Sequence, residues 1–283
     1  MGMAFYNRKF SYAEWLELVA KTPKISYASS REKGNESWNG SPSFDAAMNL
    51  ANNGWPEGLA KVKDMAEDIW KVIGQEVQKM AFYYDVTGEA VDIDRFLTGE
   101  PEDMIAFTEE QAVGHGKIVK IQVNNVASAG VSTTTMANRG AAVVALIDAL
   151  EKLGFSCEVY TADALSSRWS GDKNILQYDV TLRGAGDVLD MDRLAFALCH
   201  PSWLRRLVFS AMEQEDEQVR RMFNVGGSYG CPEESRGLTS EENGVDVPSL
   251  RLGAHNFQTQ EAAQKWVLAA AAKVLGRPVE QVA

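Results

Sequence analysis

Between Lys117 and Thr161 the spacing of apolar residues changes from that of a strand to that of a helix and back again. Lys117 to Val123 (KIVKIQV) alternates basic or polar with apolar residues, the period of a half-buried strand. A small polar loop, NNVASAGVSTTT (124–135), follows. From Asn138 to Leu153 the residues Val143, Leu146, Ile147, Leu150 and Leu153 fall on one helical stripe, and Gly154 supplies a stop. Ser156 to Thr161 (SCEVYT) returns to strand composition. A connection this short predicts a crossover between parallel strands. The expected fold is therefore α/β, with a mostly parallel sheet flanked by helices.

Upstream, helical periods dominate. Ser11 caps a predicted helix over 11–20, and Ser43 opens another that Asn53-Gly54 stops. Between them, residues 26–42 read as a polar loop anchored by Trp38. Pro56 starts a long amphipathic helix reaching residue 80, followed by a strand at Ala81 to Val86 and a short helix at Val91 to Leu97. The Gly-containing stretch 98–116 is the predicted boundary. It separates 1–111, a mainly helical N-terminal extension that wraps or precedes the core, from 112–283, the α/β core domain.

Downstream, Asn174 to Leu182 predicts a strand, and Asp190 caps a helix that His200-Pro201 interrupts. Trp203 to Phe209 and the acidic stretch after it suggest another helix. Residues 224–247 read as one long loop, and Thr259 to Leu275 as a closing helix.

Composition narrows the function. Of 283 residues, 28 are Lys or Arg and 39 are Asp or Glu, a formal charge of -11 that opposes non-specific binding to nucleic acid or anionic membrane. Cys157, Cys199 and Cys231 are odd in number and widely spaced, as expected of reduced thiols. With no run of signal-peptide or membrane-span length, the expectation is a cytoplasmic protein with no membrane partner. His115, His200 and His255 lie too far apart for a zinc pattern, and no dinucleotide or phosphate-loop glycine motif is present. Neither a metal nor a cofactor is expected.

Ligand sites of open α/β sheets lie beyond the carboxyl ends of the strands. That rule selects the 124–135 loop, with Asn124, Asn125, Ser128, Ser132 and Thr133 as hydrogen-bonding groups and Arg139 as a possible anion partner. The layout resembles the von Willebrand factor A domain, in which a first strand ends in a D-x-S-x-S metal loop before a long amphipathic helix and a second strand. The matching stretch is VNNVASAG, with Asn125 at the aspartate position and Ala127 and Ala129 at the serine positions. Hard cations want carboxylate oxygens, so the resemblance implies a degenerate metal loop. NGWPEG, RGAAVVALIDALEKLGF and LAFALCHPSWLRRLVF also resemble uncharacterised proteins of bacteriophages and prophages, which implies a host-cytoplasmic setting.

The leading expectation is a phage-encoded, non-enzymatic protein–protein interaction module using the loop face, with a phage or host protein as partner. Two alternatives stand beside it. One is a hydrolase-type enzyme using Ser and Asp groups at the same face, with Asp190 or Asp192 as acid–base residues. The other is a nucleic-acid-binding protein using Arg205, Arg206, Arg220 and Arg221. Cys199-His200 reads as a buried structural cysteine rather than a nucleophile.

Overall fold

The computed structural model describes residues 4–60, 63, 67, 82–87, 90–91, 93–107, 117–168, 171–238, 244–251 and 255–276. Its main sheet has the strand order β1-β7-β6-β5-β9, comprising β1 (Phe5–Ser11), β5 (Ile118–Val123), β6 (Ser156–Ser166), β7 (Ile175–Arg183) and β9 (Gly244–Val247), with the short β8 (Cys231–Pro232) pairing onto β6. The pairs β1·β7, β5·β6 and β5·β9 are parallel, whereas β6·β7 and β6·β8 are antiparallel. The protein is thus α/β, with a mostly parallel central sheet flanked by helices.

The predicted crossover is present. Helix α5 (Thr133–Lys152) joins β5 to β6 and buries Val143, Val144, Leu146, Ile147 and Leu150. Alternation along the strands puts Val119, Ile121, Val123, Cys157, Val159, Tyr178 and Val180 in the same core. The helix starts at Thr133 rather than at the predicted Asn138, because the Ser132 side chain accepts from the Thr135 N–H and brings the three threonines into the first turn.

The N-terminal region is built into this core. Phe5–Ser11, which the apolar pattern leaves unassigned, forms the edge strand beside β7. Helix α1 (Tyr12–Ala20) has a full capping box between Ser11 and Glu14, and its Trp15 lies 5.7 Å from both Trp203 and Tyr178. Helix α3 (Phe44–Asn53), capped by Ser43 and ended at Gly54, buries Phe44, Ala47 and Ala51. The strand expected near 81–86 is present as β2 (Phe82–Asp85). It belongs to a separate three-stranded sheet of order β2-β4-β3, with β3 (Ala90–Val91) and β4 (Met104–Phe107). Helix α4 (Ile93–Thr98) lies between the last two. Residues 56–60 are helical; most of the remaining predicted helix to residue 80 lies outside the described residues.

Downstream, the predicted strand and helix are present in forms the sequence leaves open, and one expectation changes. The 174–182 strand runs antiparallel to β6, because only a short connection joins them. Trp203–Val208 is a π-helix, wedged between α6 (Met191–Cys199) and α7 (Phe209–Gln214). The 224–247 stretch is not one loop: it contains β8 and ends in β9, which pairs with β5 in the register Gln122↔Asp246. Helix α9 (Gln260–Leu275) is capped by Thr259, the residue at which the closing helix is expected to begin.

Candidate functional site

At the carboxyl ends of β5 and β6 the loop amides turn inward. Asn124 donates from Nδ2 to the Glu233 carbonyl (2.7 Å), and its Oδ1 accepts from the Val126 N–H (3.1 Å). Asn125 donates from Nδ2 to the Ala197 carbonyl (3.0 Å), while its Oδ1 accepts from the Arg139 Nη2 (2.8 Å). Arg139 also donates from Nη1 to the Asn124 carbonyl (2.7 Å). One guanidinium therefore ties together the two residues that follow β5.

The anion of this cluster is Asp163, near the end of β6. It is fully buried and accepts from the Asn125 N–H at 2.7 Å and from the Trp203 Nε1 at 2.8 Å. Burial pushes its carboxyl up to about 7, against the opposing pull of those two donors and of Arg139. Burial likewise lowers Arg139 to about 10, with Asp163 as the strongest opposing charge. Asp163 and Arg139 attract one another across the cluster while their direct hydrogen bonds go to neutral groups.

Of the six residues selected from sequence, the structure brings Asn124, Asn125 and Arg139 together and buries all three. Ser128 is buried nearby, its N–H donating to the Leu250 carbonyl. Ser132 and Thr133 belong to the start of α5, where the Ser132 hydroxyl is committed to Thr135. What the loop leaves at the surface is its apex, with Ala129, Gly130, Ser132 and Thr134 exposed.

The apex is buttressed from below. Trp38 donates from Nε1 to the Ala129 carbonyl (3.3 Å), and Arg205 donates from Nη2 to the Val131 carbonyl (2.9 Å). The Arg205 guanidinium lies 4.4 Å from the Trp38 ring centroid. Trp38, the expected anchor of the 26–42 loop, thus fixes the underside of the apex.

Most side chains of the two alternatives are engaged elsewhere, the exception being Asp192, whose buried Oδ1 has no hydrogen-bond partner among the described residues. Arg205 and Arg206 are buried, and Arg206 donates to the carbonyls of Ser30, Glu32 and Ser41. Arg220 donates to the Glu215 carbonyl, while exposed Arg221 pairs with Glu217. Asp190 caps α6 through the Arg193 N–H. Burial pushes the Cys199 thiol up to about 12 and His200 down to about 4, so this adjacent pair holds a neutral thiol and a neutral imidazole.

Sequence reasoning missed Asp163 and Trp203. Asp163 sits inside the apolar run TADAL, where an isolated carboxylate is a signal in its own right, since a buried charge needs donors. Trp203 carries no comparable signal, because its indole N–H finds its partner only through the fold.

No curated protein and no solved structure matches the chain. A family model described as a domain of unknown function, DUF7192, matches residues 5–267. That match spans the sheet, the loop cluster and the first half of α9, and the chain belongs to the DUF7192 family.

Proposed function

We propose that the chain is a non-enzymatic protein–protein interaction module, A-domain-like in layout, that meets its partner with the exposed apex at residues 129–134. The observation that carries this reading is the inward commitment of the loop. Asn124, Asn125, Arg139 and Asp163 hydrogen-bond to one another and to neighbouring backbone below the surface, while Ala129, Gly130, Ser132 and Thr134 stand exposed. A rigid apex of small residues suits recognition, because little side-chain entropy is lost on binding. The phage-like segments point to a phage or host protein of the cytoplasm as the partner.

A metal ion of the A-domain type does not fit this loop. Asn125 stands at the first ligand position, and its Oδ1 already accepts from the positively charged Arg139 at 2.8 Å. A hard cation there would face a guanidinium and find no carboxylate among the loop residues. In this reading Arg139 is the cation of the site.

The test is a charge-bearing substitution at exposed positions only. The double variant Ala129→Glu, Thr134→Glu, which leaves the Ser132 cap in place, should keep the melting temperature and lose a stoichiometric partner that the wild-type chain captures from host or phage-infected lysate. Unchanged capture by the double variant contradicts the assignment of the apex.

A further inference from the structure

The outer edge of β1 carries a row of backbone donors and acceptors. The Ile175 N–H donates to the Ala4 carbonyl (2.9 Å) and the Ala4 N–H to the Asn174 Oδ1 (3.0 Å), so residue 4 faces β7. Backbone direction alternates along a strand; Tyr6, Arg8 and Phe10 therefore face β7 as well, and Phe5, Asn7 and Lys9 face outward. Among the described residues the backbone N–H and C=O of these three have no hydrogen-bond partner, and no strand lies beyond β1. We propose that two copies of the chain pair antiparallel along this edge, about a two-fold axis at Asn7, and continue one sheet across both.

The strand is shaped to be paired. Its 7 residues keep an unbroken register with β7, and neither a proline nor a bulge deters a neighbour. Phe5 is 41% exposed on it. What selects a second copy is the side-chain pattern. Antiparallel copies hydrogen-bond through outward-facing residues only, which leaves registers centred on Tyr6, Asn7 or Arg8. Centring on Arg8 sets that cation against the partner's Arg8, and centring on Tyr6 carries Lys9 beyond the paired strand. Centring on Asn7 engages all three outward residues. Lys9 then falls opposite the partner's Phe5 and Arg8 opposite the partner's Tyr6, so each cation meets an aromatic side chain. Arg8 is also held by Glu215 (3.1 Å), which weakens its repulsion across the axis. Lysine on an edge otherwise serves to repel a neighbouring strand; opposite phenylalanine it does not. A foreign strand brings no such match, whereas a two-fold contact supplies it from the same seven residues.

Sedimentation velocity of the full chain tests the pairing. A single strand edge makes a small contact, so the wild type should pass from one chain mass to two between about 1 and 500 µM. Lys9→Pro removes an outward N–H while the ladder to β7 loses no bond, a substitution that edge strands accept. It should keep the melting temperature and stay at one chain mass. Phe5→Cys and Lys9→Cys place thiols at facing positions, with Cα atoms about 5.5 Å apart in a hydrogen-bonded pair and within disulfide reach. The two variants mixed under mild oxidant should give a cross-linked dimer that neither gives alone, since the native thiols are buried. Where Lys9→Pro lowers the melting temperature, the cross-link decides. The proposal is overturned if the wild type keeps one chain mass at about 500 µM, if a normally melting Lys9→Pro dimerises as the wild type does, or if the mixture cross-links no more than the single variants.

Discussion

The indole Nε1 of Trp203 donates to the Oδ2 of Asp163 across 2.8 Å, tying the π-helix to the end of β6 beneath the candidate loop. Asp163 holds the Asn125 N–H with its other oxygen, so a single buried carboxylate connects the helical layer to the loop. Trp203→Phe keeps most of the ring and removes the donor. We expect a loss of about 1 to 3 kcal/mol, the cost of leaving a buried acceptor with one partner fewer. Urea unfolding at pH 8, where Asp163 is ionised, measures it; an unchanged midpoint would show that the indole contributes only packing.

Two buried groups give opposite pH dependences. Asp163 holds its proton more tightly folded than unfolded, so its contribution is full below about pH 4 and is lost as pH rises through about 7. His200 holds its proton less tightly folded, so its contribution is present above about pH 6.5 and lost as pH falls through about 4. Each reaches on the order of 3 to 4 kcal/mol as an upper bound. Relative to wild type, His200→Gln should show stability falling more steeply as pH rises from 4.5 to 7, and Asp163→Asn should show the reverse. Unfolding midpoints across that range check both; slopes changing in the same direction would contradict the assignment.

Arg139 makes two hydrogen bonds to the loop and faces Asp163 from within the core. Arg139→Met should destabilise the fold by about 3 to 5 kcal/mol, because it strands a buried carboxylate and two acceptors. Arg139→Lys should recover little of that, since a single ammonium cannot reproduce the fork that spans the Asn124 carbonyl and the Asn125 side chain. Thermal unfolding of both variants decides it, and full recovery with lysine would mean that charge alone matters.

Helices α5 and α6 cross at Gly140. A Cβ there would lie 2.3 Å from the Leu198 carbonyl oxygen and 2.5 Å from the Cys199 Cα, so the backbones have to separate to admit it. Gly140→Ala should therefore cost about 1 to 3 kcal/mol, as overpacking does, despite the better helix propensity of alanine. A stabilised variant would show that the crossing is looser than the structure describes.

Legibility followed locality. The helix starts at Ser11, Ser43, Asp190 and Thr259 and the stop at Gly54 rest on contacts within a few residues, and the β5–α5–β6 unit on the periodicity within each element, so these were readable from composition and spacing. β1 was not, because Phe5–Ser11 earns its place only by pairing with residues 170 positions away, and an edge strand with half-exposed side chains shows no clean alternation. β9 was hidden for a similar reason: four residues beside a glycine-rich stretch carry too little pattern. At the loop, polarity singled out Asn124, Asn125 and Arg139, which the structure brings into contact. It did not reveal their inward direction, which depends on Asp163 and on the Ala197 carbonyl of a distant helix.

The central claim is that the loop face is an interaction surface whose cation is Arg139. Its most direct test is quantitative capture of the partner by immobilised wild-type chain, with excess chelator or with millimolar Mg²⁺ and Ca²⁺, beside the Ala129→Glu, Thr134→Glu variant. The account predicts equal capture in chelator and in metal, and loss of capture only in the variant. Capture that requires the divalent cation, or that survives the variant, would contradict it.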